Sequence, residues 1–362
     1  MSLFEPVTFK SGATAKNRVA LAPLTNEQSH ADGTLGDDEL AWLTRRARGG
    51  FGVVSTCAAH VSRDGQAFEG QLGVWSDAHV PRLRDLASAI AREGALGLVQ
   101  LHHGGVRALS RLTGEPVWSA SSFTEDRPGF EVPRAATVAD LQRVMGDFGE
   151  AARRASEAGF SGVEVHGAHG YLLGQFLSAT MNTRTDDFGG SIAGRALLLR
   201  EVTRRVRDEL PAPHVVGVRL SPEDFGQARG LDLDESLEVA AWLAEDGIDY
   251  CHLSLWDITR LTKKRPDQHA IALFRRALPE DVRIVVAGKI WTPAEAEHAL
   301  SLGADLVALG RSAIVNPDWP RDAARPGWEP RRPPLTRAEY ADVAVSATFA
   351  SYLRRFDGMV GD

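Results

Sequence analysis

Two histidines three residues apart, His166 and His169, with Tyr171 two positions further on, are the residues of this chain best suited to chemistry. They follow Val163-Glu164-Val165, an apolar run that reads as a strand. Strand side chains alternate between faces, so a regular strand would send the two imidazoles to opposite sides. Gly167, Ala168 and Gly170 imply that the strand is already turning there, which would let both rings converge. Two N–H donors and a phenol at one strand end suit a substrate oxygen that gains negative charge beside a carbon that needs a proton. The same pattern also fits a pair of core or loop histidines beside a structural tyrosine. A metal site is a further alternative, because Glu164 and His166 share a strand face.

The elements that would position these residues recur along the whole chain. Short apolar runs lie at 18–24, 52–59, 96–102, 162–167, 215–221, 250–255, 283–288 and 306–310. Several are nearly continuous in Val, Leu, Ile and Ala, as strands buried on both faces should be. Helical patterns at 37–48, 78–93, 137–158, 191–210, 233–246, 268–278 and 293–302 separate them, the last opened by a Thr292-Pro293 cap. Eight such units with right-handed crossovers close into an α/β (β/α)8 TIM barrel. The alternative, a doubly wound open sheet, would usually carry a G-x-G-x-x-G turn after its first strand, and Leu24-Thr25-Asn26-Glu27 is no such turn. Residues 4–16 are expected to form a hairpin across the barrel bottom and 336–356 one further helix, all within a single domain over 1–362. The connections 104–136 and 171–190 are long enough to be functional loops.

Composition sets the outer limits. The chain has 362 residues, 43% of them hydrophobic, and a net charge of −7, which argues against a nucleic-acid surface. No apolar stretch approaches the roughly 18 residues of a membrane span, and Met1-Ser2-Leu3-Phe4 lacks the features of a signal peptide. Two cysteines, Cys57 and Cys251, are too few for a disulfide framework or an iron–sulfur cluster. A cytoplasmic protein, monomer or homo-oligomer, is the natural expectation.

In such a barrel the chemistry lies at the C-terminal ends of the strands. Those ends carry Thr25, Ala58, Gln100, the His166–Tyr171 group, Arg219, Gly288 with Lys289, and Gly310 with Arg311. Glycines after the last two strands let backbone N–H groups approach an anion, and the loops there are the usual phosphate site of this fold. Arg311 would add a bidentate partner.

Taken together, the segments Asn17-Arg18-Val19-Ala20-Leu21-Ala22-Pro23-Leu24-Thr25, Val99-Gln100-Leu101, His166-Gly167-Ala168-His169-Gly170-Tyr171, Gln175-Phe176-Leu177-Ser178, Asn182–Ser191, Val218-Arg219-Leu220-Ser221 and Ala308-Leu309-Gly310-Arg311 resemble the Old Yellow Enzyme family of FMN-dependent ene-reductases, from Phe4 to about Trp319. The resemblance implies FMN as cofactor, NADPH or NADH as reductant, and electrophilic alkenes (α,β-unsaturated carbonyl or nitro compounds) as substrates. It implies that Pro23, Leu24 and Thr25 lie along the flavin, with Ala58 against the same ring. Gln100 is implied to bind the pyrimidine edge and Arg219 to stabilise negative charge near N1. Gly288, Gly310 and Arg311 are implied to grip the phosphate. His166 and His169 would hold the substrate oxygen while hydride passes from flavin N5, and Tyr171 would donate the proton.

The chain departs from the family's pattern in two places. Many members read Gln-Leu-x-His-x-Gly-Arg on the third strand, whereas Val106 stands at the arginine position here. One subgroup has cysteine and, two residues on, tyrosine where this chain has Thr25 and Glu27. The trio Asn26-Glu27-Gln28 is therefore open to two readings, a substrate contact or a solvated loop. His102 and His103 should face opposite ways, one toward the mouth. A metal-dependent hydrolase and a flavin carrier without catalysis are the competing functional readings.

Overall fold

The computed structural model describes residues 2–126 and 128–361. Eight parallel strands form a closed barrel: β1 (Val19–Leu21), β2 (Val53–His60), β3 (Leu96–His102), β4 (Gly162–His166), β5 (Val215–Leu220), β6 (Tyr250–Ser254), β7 (Arg283–Ala287) and β8 (Leu306–Leu309). Closure is made by β8 against β1, where Val307 pairs with Val19 and Leu309 with Leu21. The strands are buried on both faces, since side chains alternate between the barrel interior and the helical layer. This burial explains their continuous apolar runs.

The crossover helices are α1 (Asp37–Arg48), α2 (Val80–Arg92), α3 (Val138–Glu157), α4 (Ile192–Glu209), α5 (Leu233–Glu245), α6 (Ala270–Ala277) and α7 (Pro293–Ser301). Helix α3 buries Leu141, Val144, Phe148, Ala152 and Ala155, the spacing of a single helical stripe. Capping boxes start α3 (Thr137 with Asp140) and α7 (Thr292 with Glu295, Pro293 in the first turn). The expected boundaries hold to within about two residues, the usual scatter of helix ends.

The expected N-terminal hairpin is present: Val7–Thr8 pairs antiparallel with Thr14–Ala15. Val7, Phe9 and Ala15 pack on Val53, Val215, Tyr250 and Leu306 and plug the end of the barrel away from the site.

Two expectations need correction. The single helix over 336–356 is two, α8 (Arg337–Asp342) and α9 (Ala347–Leu353). Ala344 takes a left-handed φ of 57°, Val345 N–H turns back to the Tyr340 carbonyl, and Ser346 caps the new helix. Strand β1 stops at Leu21, so Pro23, Leu24 and Thr25 belong to the loop across the mouth. The connection 104–136 carries structure of its own, including the parallel pair Trp118–Ser119 and Arg134–Ala135.

Candidate active site

The two histidines of the opening motif do converge. His166 ends β4, and His169 adopts a left-handed φ of 61°, followed by Gly170 at 68°. That turn swings the second ring back, so His166 Nε2 and His169 Nδ1 share a hydrogen bond of 3.0 Å. Gly170 is required because a Cβ there would lie 2.2 Å from the Gln227 carbonyl oxygen. His102, the inward member of its pair, extends the row with Nδ1 3.0 Å from His166 Nδ1. At the other end His169 Nε2 lies 2.6 Å from Ser254 Oγ, to which Arg219 Nη2 donates at 3.1 Å. Burial pushes the pKa of all three imidazoles well below the usual histidine value, and neighbouring positive or titratable groups add to the effect. They are therefore neutral, each with one N–H to give.

Tyr171 stands over this row, its ring centroid 4.3 Å from that of His102 and 5.0 Å from that of His166. Arg107 covers its other side with the guanidinium 4.1 Å from the ring centroid, while Nη1 donates to the His169 carbonyl at 2.9 Å. Arg107 was missed in the sequence. It stands one position past the expected arginine, and the 3-10 turn Gly105–Arg107 brings it to the mouth.

Below the histidines, the inner wall is polar. Gln100 is buried and donates through Nε2 to Glu164 Oε1 at 2.7 Å. Glu164 Oε2 accepts from the Tyr250 hydroxyl at 2.9 Å and from His252 Nδ1 at 2.8 Å. Three donors thus occupy this carboxylate, which leaves the Glu164–His166 metal alternative without support. Among the described residues no group of three or more His, Cys, Asp or Glu side chains could hold a metal ion. The buried thiols of Cys57 and Cys251 have their pKa raised by burial.

Next to this wall lies a cleft of about 270 Å³ lined by Ala22, Leu24, Arg219, Gly288, Gly310 and Arg311, among others. Its open polar groups fit the FMN that the resemblance implies. Arg219 Nε and Ser312 Oγ are buried without a hydrogen-bond partner among the described residues. Gly288 is held so close to the Leu255 carbonyl oxygen that a Cβ would sit 2.8 Å from it. Arg311 is exposed at the cleft. Ala58 comes to the mouth through a register shift in β2 between Ser55 and Ala58, a bulge that re-aims the strand end.

The trio after Thr25 is not a freely solvated loop; its side chains are held by other parts of the chain. Asn26 is fully buried and donates to Glu39; its Oδ1 accepts from Gln28 N–H. Gln28 accepts from Ser346, and Glu27, at a left-handed φ of 57°, pairs with Arg355. These contacts bind the β1 loop to the C-terminal segment. They bring Tyr352 of α9 beside Thr25 and Tyr171, with the phenol pKa raised chiefly by burial. Tyr352 was also missed, since nothing local in the sequence ties residue 352 to residue 25. His103 points away from the mouth, against Trp118 and Asp64.

Residues 2–326 match the NADH:flavin oxidoreductase / NADH oxidase family. The chain is 38% identical over 323 residues to a probable NADH-dependent flavin oxidoreductase of Bacillus subtilis, covering 88% of this chain and 86% of that protein. Its fold is similar to the Old Yellow Enzyme homologue from Zymomonas mobilis, with a TM-score of 0.83 and 29% identity over 95% of this chain and 99% of that one. Morphinone reductase in complex with tetrahydroNAD matches with a TM-score of 0.81 and 26% identity, over 96% and 97% of the two chains. No helix among the described residues is long and apolar enough to cross a membrane. A closed barrel whose mouth joins a histidine row to an anion-ready cleft, matched over nearly its whole length by these relatives, places the chain in the Old Yellow Enzyme family of NADH:flavin oxidoreductases, with FMN as cofactor and NAD(P)H as reductant.

Proposed function

We propose that the protein reduces the activated C=C bond of α,β-unsaturated carbonyl or nitro compounds. The observation that carries this reading is the convergence of His166, His169 and Tyr171 on one mouth beside the FMN cleft. Bound FMN supplies the chemistry of accepting a hydride from NAD(P)H and delivering one to an electrophilic carbon. Pro23, Leu24, Thr25 and Ala58 would hold the ring system, with Gln100 at its pyrimidine edge. Arg219 would place a fixed positive charge near N1, and Gly288, Gly310 and Arg311 would hold the phosphate.

Neutral imidazoles suit the substrate side. Each of His166 and His169 can turn an N–H toward a carbonyl or nitro oxygen and stabilise it as negative charge builds there. The two rings share one hydrogen bond, and their other nitrogens lie against His102 and Ser254, so the row is held in place as a unit. Tyr171 delivers a proton to the α-carbon, completing net addition of a hydride and a proton across the double bond. The Arg107 guanidinium lies against the Tyr171 ring and helps hold it in place.

The test is anaerobic. Protein reduced with NAD(P)H is mixed with cyclohexenone and the return of the oxidised flavin band is followed. Rapid return with formation of cyclohexanone is expected. A reduced protein that dioxygen reoxidises and neither enones nor nitroalkenes do would reject the reading.

A further inference from the structure

The buried carboxylate of Glu164 has no part in the chemistry above, yet it accepts from three buried side chains in the barrel interior. Glu164, Gly217 and Tyr250 stand in one register row across β4, β5 and β6. Gly217 makes the row possible. A Cβ there would fall 2.0 Å from the Tyr250 ring, so only glycine lets the phenol cross to the carboxylate. The result is an acid 2% exposed that accepts from Gln100, Tyr250 and His252. Burial would raise its pKa, but His252, Arg219 and Gln100 act the other way and win, so the carboxyl stays ionised. Tyr250 is held as a protonated donor, its own pKa raised well above the ordinary value by burial and by Glu164.

Two consequences reach the cofactor. An ionised carboxylate only accepts hydrogen bonds, so the Gln100 amide must turn its nitrogen inward. The Gln100 carbonyl oxygen and second N–H are thereby fixed toward the mouth. The pyrimidine edge of a flavin alternates C2=O, N3–H and C4=O, so an amide held in one orientation would meet it with its acceptor and donor in a fixed order. The second consequence is electrostatic. Glu164 is a fixed negative charge in the barrel beneath the mouth, opposed by the buried guanidinium of Arg219, whose pKa it raises while burial lowers it.

We propose that Glu164 is a positioning residue for FMN that locks the Gln100 amide and, against Arg219, sets the potential at which the flavin is reduced. The proposal rests on the FMN site described above and goes beyond it, since Glu164 touches no ligand itself.

The test uses apoprotein reconstituted with FMN, with flavin affinity and midpoint potential measured for each variant. Glu164→Gln keeps an acceptor for Tyr250 and His252 but removes the charge and lets Gln100 flip. Oxidised FMN should bind at least about tenfold more weakly. Reduced FMN, which carries more negative charge, should lose less affinity. A tenfold change in the ratio of the two constants is a rise of about 30 mV in a two-electron potential. Glu164→Asp keeps the charge and should leave the potential near that of the parent, while Arg219→Ala should lower it. Should Glu164→Gln fail to fold, Tyr250→Phe carries the test. With one donor stripped away the carboxylate's charge is less compensated at the mouth, and the potential should fall. A Glu164→Gln protein that loses affinity equally in both redox states, with its potential unchanged, would reduce Glu164 to a packing role and overturn the proposal, as would an unmoved potential in Tyr250→Phe. A parent protein that takes up no FMN would instead reject the cofactor site, whatever Glu164 does.

Discussion

At the level of single residues, the mouth divides labour among groups that cannot replace one another. His166 and His169 are neutral, and in the proposed reaction they serve as oxyanion donors while Tyr171, flanked by Arg107, serves as the proton source. Removing one charge-stabilising donor typically costs about 2.7–4 kcal/mol in the transition state. His169→Ala should therefore slow enone reduction by on the order of a hundredfold or more, and should weaken binding of phenolates, which mimic the charged oxygen. Tyr171→Phe should act differently. It removes a proton but no oxyanion donor, so reduction of the flavin by NAD(P)H should survive while its reoxidation by cyclohexenone slows. Stopped-flow measurement of the two half-reactions separates the cases. A Tyr171→Phe variant slowed only in the reductive half would assign Tyr171 to the nicotinamide instead.

At the level of elements, the C-terminal segment determines the shape of the mouth, and one buried residue anchors it. Arg46 of α1 is fully buried, and its guanidinium donates to the carbonyls of Trp42, Ala313, Ile314 and Val343. A single side chain thus joins α1, the short helix Arg311–Val315 that follows β8 and the turn between α8 and α9. Burial lowers the pKa of Arg46, which nonetheless keeps its proton as the donor to these four oxygens. Arg46→Met keeps much of the volume and removes every donor. Each buried carbonyl left unpaired costs about 1–3 kcal/mol, so the variant should lose more than about 3 kcal/mol in urea unfolding. A loss below about 1 kcal/mol would mean that water or relaxed backbone replaces the guanidinium. Because α9 carries Tyr352, the surviving folded fraction should also bind phenolates less tightly.

For the whole molecule, cofactor and proton linkage set the stability. FMN bound at 100 times its dissociation constant adds about 2.7 kcal/mol if the unfolded chain does not bind it. The melting temperature should rise with added FMN and not with riboflavin alone, if the Arg311 cleft holds the phosphate. Flavin released on denaturation should chromatograph as FMN; FAD would contradict the family cofactor. The histidines give a second dependence. His60, His102, His166, His169 and His252 all have their pKa lowered in the folded state, His60 to about 4, with burial the leading cause. Between the folded and unfolded values the unfolded chain binds more protons, so stability falls as pH drops. Each group contributes up to about 1.4 kcal/mol per pH unit in that window. Unfolding free energy should be flat above about pH 7 and fall steeply from about 6.5 toward 4. A flat profile down to pH 5 would mean that these rings accept protons in place.

The alternation of strands and helices, most of the strand ends and the turn that swings His169 back are legible in the sequence, although the first strand stops short, at Leu21. They depend on local signals: continuous apolar runs, caps such as Thr292-Pro293, and glycine or alanine around the histidines. Barrel closure then follows from eight repeats of one unit, which is why the residues at strand ends fall around one mouth. What the tertiary structure alone decided are the meetings between distant positions. Glu164 finds His252 and Tyr250 only because β4, β5 and β6 lie in a fixed register with Gly217 between them. The bulge that presents Ala58 depends on how β2 pairs with β3. Tyr352 reaches Thr25 because Ser346, Arg355 and Arg46 hold the chain terminus against the β1 loop and α1. Such contacts join residues from tens to hundreds of positions apart. No periodicity or cap encodes them, since their partners become neighbours only when the barrel has closed and the C-terminal helices have docked.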